Sequence, residues 1–197
     1  MAPPRKAKVN RKTRETGITL SLDLDGSGKC KISTGIPFFD HMLDSLCRHA
    51  LFDLDLRAKG DLAVDLHHTV EDVGLALGRA IKQALASKEG IHRFGSACAP
   101  MDEALVLCAV DLSGRAHCAF NMELKRRKVR DFEAEHVPEF FRALSQAGAF
   151  TLHIHGLAGA NTHHLIEAAF KACGLALSQA VAQRPRARGS PSTIGAL

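Results

Sequence analysis

The amino-acid sequence predicts an α+β protein made of two similar half-domains, each a small sheet with two helices packed on one face. Three observations carry that expectation. Apolar residues recur at helical spacings of three, four and seven in four separate segments. Short stretches of alternating apolar and polar residues, bounded by glycine-containing turns, read as strands. The whole order of elements occurs twice, with its later parts repeating 96 residues apart.

The elements follow in order. In the first half two strands flank the turn Asp25-Gly26-Ser27-Gly28, and in the second two strands flank Asp111-Leu112-Ser113-Gly114. A helix then carries Phe39, Met42, Leu43 and Leu46, paralleled by Val137, Phe140, Phe141 and Leu144. Phe52-Asp53-Leu54-Asp55-Leu56 alternates as a strand, as does Phe150-Thr151-Leu152-His153-Ile154. There is room for another short strand before the last helix. That helix buries Val70, Val73, Leu77, Ile81, Ala84 and Leu85 in the first half, and Ile166, Ala169, Cys173, Leu177, Ala180 and Val181 in the second. Asp65 and Asn161 stand at matching N-cap positions. The expected division is residues 1–90 with a basic N-terminal arm, 91–184, and a tail of 185–197. The boundary is placed at residues 88–93, where Gly90 ends the helix.

The 197 residues are 46% apolar, enough for one ordinary core or two small ones. No apolar run approaches the roughly 18 residues of a membrane span. The basic start of the chain is not followed by the apolar segment of a signal peptide. Six cysteines are scattered without a Cys-x-x-Cys pair, and Cys98, Cys108 and Cys173 sit in apolar runs. This reads as reduced, buried thiols in a cytoplasmic protein. The net charge of +5 gathers in the arm from Arg5 to Arg14, read as solvated surface, in a loop from Lys125 to Arg130, and in a tail from Arg184 to Arg188. Such basic segments suit an anionic ligand, whether phosphate or nucleic acid. The absence of Trp and Tyr argues against a base-stacking platform.

Histidine is the unusual count, at eleven. His67-His68-Thr69-Val70-Glu71 recurs as His163-His164-Leu165-Ile166-Glu167, in the first turn of each long helix. On a helix the Glu lies four residues after one His and three after the other, so all three share a surface. Adjacent histidines diverge by about 100° around the axis. Splitting each pair between two ions is therefore the natural arrangement, and two such helices would build two similar sites. Imidazole and carboxylate donors without thiolate suit Mn, Fe or Zn. The pattern is neither the zinc-protease His-Glu-x-x-His nor the Glu-x-x-His of di-iron bundles.

These residues carry a resemblance. Gly35-Ile36-Pro37-Phe38-Phe39-Asp40-His41-Met42-Leu43, Gly60-Asp61-Leu62 and His67-His68-Thr69-Val70-Glu71-Asp72 are similar to the imidazoleglycerol-phosphate dehydratase family. So are Arg93-Phe94-Gly95, Asp111-Leu112-Ser113-Gly114-Arg115, Thr151-Leu152-His153-Ile154 and Asn161-Thr162-His163-His164. The resemblance runs from about Arg14 to the C-terminus. It implies two similar α+β halves, an assembly of twenty-four copies with sites at subunit interfaces, two Mn ions per site, and a step of histidine biosynthesis. In that step imidazole glycerol phosphate loses water to give imidazole acetol phosphate.

By the family pattern one ion takes His67, Glu71, His163 and a ligand near position 139, here Glu139; the other takes His41, His68, His164 and Glu167. The resemblance also implies substrate contacts from Glu15, His41, His49, His67, Glu71, Arg93, Arg115, Ser192 and Thr193, with Glu15, Glu71 and Glu167 as the catalytic carboxylates. The proton to be lost sits on a carbon with no neighbouring carbonyl. Lewis acids on the imidazole ring would hold the charge that develops there, and a carboxylate, Glu15 first, would move the proton. Arg93 and Arg115 would grip the phosphate.

Three departures from the family pattern stand out. Glu139 replaces a His found in some members, with His136 one turn earlier as the weaker substitute; Arg130 occupies a usual Gly position; and Ile194 replaces a tail Lys, a loss that Arg186 or Arg188 could make good. No phosphatase domain is expected in this chain. The rival readings are another di-metal hydrolase of a phosphorylated substrate and a metal-storing or nucleic-acid-binding shell.

Overall fold

The structure, a computed structural model, describes residues 4–186, 189, 191 and 192. The first half runs β1 (Lys6–Lys12), β2 (Thr16–Asp23), β3 (Cys30–Ser33), α1 (Pro37–Ala50), β4 (Asp53–Gly60) and α2 (His67–Leu85). The second runs β5 (Phe94–Met101), β6 (Ala104–Asp111), β7 (His117–Asn121), a small ribbon of β8 (Lys128–Val129) and β9 (Phe132–Glu133), then α3 (His136–Gly148), β10 (Thr151–Ala158) and α4 (Thr162–Val181). The main sheets share one topology, β1-β2-β4-β3 and β5-β6-β10-β7, with one parallel pair in each, β3 with β4 and β7 with β10. A parallel neighbour needs a crossover, and α1 and α3 supply it.

Alternation decides which face of each sheet is covered. Ile18, Leu20 and Leu22 of β2 align with Ala58, Leu56 and Leu54 of β4 and are buried. Val106, Cys108 and Val110 of β6 do the same against β10. The helices pack on these faces, and each also packs on a helix of the other half: α2 on α3, and α1 on α4. Glycine makes both crossings close. A Cβ on Gly78 would stand 2.3 Å from the carbonyl oxygen of Leu144, and one on Gly174 would stand 2.3 Å from that of Leu46. The two halves are thus joined through equivalent helix pairs. A ring cluster fills the middle, with Phe39 of α1 edge-on to Phe140 of α3 at 5.3 Å.

Some expectations need correction. The basic arm is not simply solvated. It forms β1, whose Ala7 and Val9 enter the core while Lys6 and Lys8 face outward. Arg11 reaches Asp72 of α2 through Nη2 at 2.6 Å, so a charge near the start of the chain fastens the sheet to the helix. Each half consequently has three strands of its main sheet before its first helix. No short strand lies between β4 and α2; a turn does, with Val64 N–H donating to the Asp61 carbonyl at 2.7 Å. Gly90 does not end α2. The helix stops at Leu85, Ala86 takes the positive φ of 47°, and Gly90, at φ 68°, shapes a later turn. Cys98 is exposed, because β5 turns it to the uncovered face, whereas Cys108 and Cys173 are buried as expected. All six thiols are free. Arg130 has φ 53°, a left-handed turn position where glycine is the least strained residue. No helix among the described residues is long and apolar enough to cross a membrane.

Candidate metal centre

Both double-histidine motifs are set by the same local bond. Asn161 Oδ1 accepts from His163 N–H at 3.0 Å, and Asp65 Oδ1 accepts from His67 N–H at 3.0 Å. α2 begins one residue later relative to its cap than α4 does, yet the histidines occupy the first turn in both.

The tighter cluster joins α1 to α4. Ligand atoms of His41, His163 and Glu167 all lie within 4.8 Å of one another. Glu167 Oε2 is 3.1 Å from His163 Nε2 and 3.4 Å from His41 Nε2. A first-row ion with bonds of about 2.1 Å puts neighbouring ligands roughly 3 Å apart at right angles. Imidazole nitrogens and a carboxylate at this spacing therefore fit such an ion. Glu167 is 7% exposed, and its other oxygen takes Lys171 Nζ at 2.9 Å. Burial pushes the Glu167 carboxyl upward, but the hydrogen bonds from Lys171 and His163 outweigh it and hold the group below its ordinary value.

The second cluster is looser and lies at the start of α2. His67 Nε2 is 3.9 Å from Glu71 Oε2. His68 Nδ1 meets Asp61 Oδ2 at 3.1 Å, with Glu15 Oε2 at 3.9 Å. Glu15 sits at the tip of the β1–β2 hairpin, where Thr13 Oγ1 accepts its N–H at 3.1 Å. The bond from Asp61 raises the His68 pKa against the opposing effect of desolvation. At the start of α4 Glu103 plays the matching part. Its Oε2 is 2.7 Å from His164 Nδ1, and its Oε1 accepts the Asn161 N–H at 2.8 Å. The His164 contact is the main cause of a Glu103 pKa of about 2, and the same contact raises that of His164.

Aromatic rings stand between the clusters. His163 meets Phe38 at 5.2 Å, Phe38 meets Phe132 at 5.3 Å, Phe132 meets His136 at 5.5 Å, and His136 meets His67 at 6.0 Å. The family's ligand sets cut across this division. The resemblance implies His163 with His67 and Glu71 in one set, yet in this chain it stands with His41 and Glu167. It implies His68 with His41, His164 and Glu167 in the other, yet His68 stands beside His67.

Other expected residues lie apart from both clusters. Glu139 is ion-paired with Arg142. His49 is two turns beyond His41 on α1 and bonds the Ser45 carbonyl at 2.8 Å. Arg93 spends its fork on Asp111, with Nε at 2.6 Å and Nη2 at 3.1 Å, and its Nη1 donates to the Pro191 carbonyl at 2.9 Å. Arg115 is exposed, its N–H held by Ser113 Oγ at 3.2 Å. Ser192 is described; Thr193, Arg188 and Ile194 lie outside the described residues, and Arg186 is exposed.

Sequence reasoning did not single out Asp61, Glu103 or Lys171. Glu103 occupies the β5–β6 turn as Glu15 occupies the β1–β2 turn, but the two are 88 residues apart and not 96, so the repeat hides the relation. Lys171 follows Glu167 at helical spacing, a signal that was present.

Residues 34–177 match the family profile described as imidazoleglycerol-phosphate dehydratase. A protein of that name from Acetivibrio thermocellus is 58% identical over 98% of this chain and 99% of its own length. One from Moorella thermoacetica is 54% identical over 98% of each. The crystal structure of the dehydratase from Staphylococcus aureus superposes with a TM-score of 0.82 at 36% identity, covering 90% of this chain and 99% of that one. The Pyrococcus furiosus structure, in complex with (S)-C348, gives 0.84 at 35% identity, covering 96% of this chain and 100% of that one.

Proposed function

The chain belongs to the imidazoleglycerol-phosphate dehydratase family, and from that premise we propose that it is a hydro-lyase of histidine biosynthesis converting imidazole glycerol phosphate to imidazole acetol phosphate with the help of Mn2+. The observation that carries the reading is the convergence of His41, His163 and Glu167 within 4.8 Å at the foot of α4.

Within this proposal His41, His163, His164 and Glu167 form one half-site, and His67, His68 and Glu71 the other. A complete site joins the first half-site of one chain to the second of another, in an assembly of twenty-four copies. Two supports favour this: the ligand sets of the family cut across the clusters of a single chain, and His67 and Glu71 are open to solvent. Mn2+ held by these residues would supply Lewis acidity to the imidazole ring of the substrate.

The remaining steps fall to protein groups. Asp61 and Glu103 fix Nδ1 of His68 and His164, which turns Nε2 of each toward an ion, although Nε2 of His164 also lies 3.4 Å from Asn161 Nδ2. Lys171 balances the buried charge of Glu167. Glu15, exposed at its hairpin tip, takes the proton from the substrate carbon that must lose it. Arg93 and Arg115 serve the phosphate, with Asp111 keeping the Arg93 fork oriented.

The test is turnover of imidazole glycerol phosphate by metal-stripped protein, read from the absorbance of the keto product after Mn2+, Fe2+ or Zn2+ is returned. Turnover restored by Mn2+ is expected. Full activity without metal would reject the metal reading, and no activity with any ion would reject the function.

A further inference from the structure

The two main sheets share a topology but not a surface chemistry. In the first, β1 and β4 carry four ionised side chains each, and β2 and β3 one each. The four strands of the second carry one between them, Asp111, and its carboxylate is already taken by the Arg93 fork. The contrast lies on the face turned away from the helices. Lys8, Ser21, Asp55 and Lys31 form one row across the first sheet. The equivalent row of the second is Ser96, Ala109, His153 and Ala119. In the next row the place of Arg57 is taken by His155, flanked by Leu107 and Asn121. Phe94 at one end of this face and Leu157 at the other are 59% and 54% exposed.

A sheet face left to water is polar along its length, as the first one is. Charge is depleted where one protein surface covers another, and exposed apolar patches mark such places. Charge also decides what can lie here. A nucleic acid needs cations, and an acidic or basic partner needs the opposite sign. This face offers neither. A second copy is different. Two-fold symmetry brings a face onto itself, so ionised groups near the axis would approach their own kind. A face without free charge meets itself with no such repulsion. Ser96, Ala109 and Ala119 are small enough to let two sheets approach to the roughly 10 Å of face-to-face packing. The imidazoles of His153 and His155 can both donate and accept across the contact when neutral.

Beyond the shared metal site, we infer that the outward face of the second sheet packs against the same face of another copy of this chain. The strands that build it contain none of the half-site residues. This contact therefore forms without any ion, and it is a second interface beside the one through which ligands are shared.

The test uses the whole metal-free protein, its mass read by sedimentation velocity in the presence of chelator. Wild type is expected to be larger than one chain, and Leu107→Arg to fall to the 21.2 kDa of a single chain. His153→Asp, which installs the residue found at Asp55, is expected to do the same and serves should the first variant fail to fold. Thr19→Arg, at the position of the first sheet equivalent to Leu107, is the control and is expected to keep the wild-type mass. A second measurement reads the wild-type face directly. Cys98 is exposed on it in a single chain, and is expected to react with iodoacetamide more slowly in wild type than in Leu107→Arg or His153→Asp. A metal-free wild type that is a single chain overturns the inference. So do folded variants that keep the wild-type mass, or a Cys98 that reacts alike in all. None of these results touches the metal reading, which is judged by whether Mn2+ enlarges the particle.

Discussion

Glu103 Oε2 lies 2.7 Å from Nδ1 of His164, across a gap of 61 residues in sequence. A hairpin tip on one sheet thereby orients the second histidine of the motif on α4. Asp61 does the same for His68 from the loop before α2, at 3.1 Å. Each motif is thus supported by a carboxylate outside it.

This pairing has a pH signature. Glu103 is held at about 2, so its contribution to stability is present above the ordinary carboxylate value and lost as pH falls through about 2. The His164 pKa is raised, so its contribution is full below the ordinary imidazole value and lost as pH rises through the raised one. In metal-free Glu103→Gln the His164 titration, followed by ring NMR signals, is expected to fall back toward about 6.5. An unchanged midpoint would show that the contact does not form.

The crossing of the two halves rests on glycine. Gly78→Ala and Gly174→Ala each force a methyl group to within 2.3 Å of a backbone carbonyl of the other half. Overpacking of this kind costs about 1–3 kcal/mol, or about 2–10 °C in Tm for a chain of this size. Gly17→Ala, with nothing within 4 Å of its added carbon, is the control and is expected to lose nothing. Thermal melts of the metal-free proteins measure all three. Equal behaviour of the three variants would contradict the close packing of α2 on α3 and of α1 on α4.

Metal removal is expected to shrink the particle. If ions are held between chains, their binding free energy is assembly free energy. Light scattering with and without chelator reads the change, and a large particle that survives chelation contradicts ions that bridge chains.

Much of this was legible in the sequence, for identifiable reasons. Periodicity placed Phe39 and Phe140 on buried helix faces, and both lie in the core. The repeated histidine pairs placed the metal motif, because the spacing of a capped helix leaves few alternatives. β1 was missed because its outward lysines hid the alternation of Ala7 and Val9. The cluster of His41, His163 and Glu167 was not foreseen as a unit, since its geometry depends on α1 packing against α4, a contact between distant segments. Arg130 at a glycine position had no evident consequence in sequence; its positive φ supplies the reason.

The central claim is that one working site takes half of its ligands from each of two chains, and complementation tests it most directly. His163→Ala destroys the half-site on α4 and keeps that on α2, while His67→Ala does the reverse. Each variant alone is expected to be inactive. Mixing the two metal-stripped proteins and adding Mn2+ is expected to restore activity, with about one site in four intact if chains assemble at random around symmetric interfaces. A mixture that co-assembles, shown by light scattering, yet stays inactive would contradict the shared site and place all its ligands within a single chain.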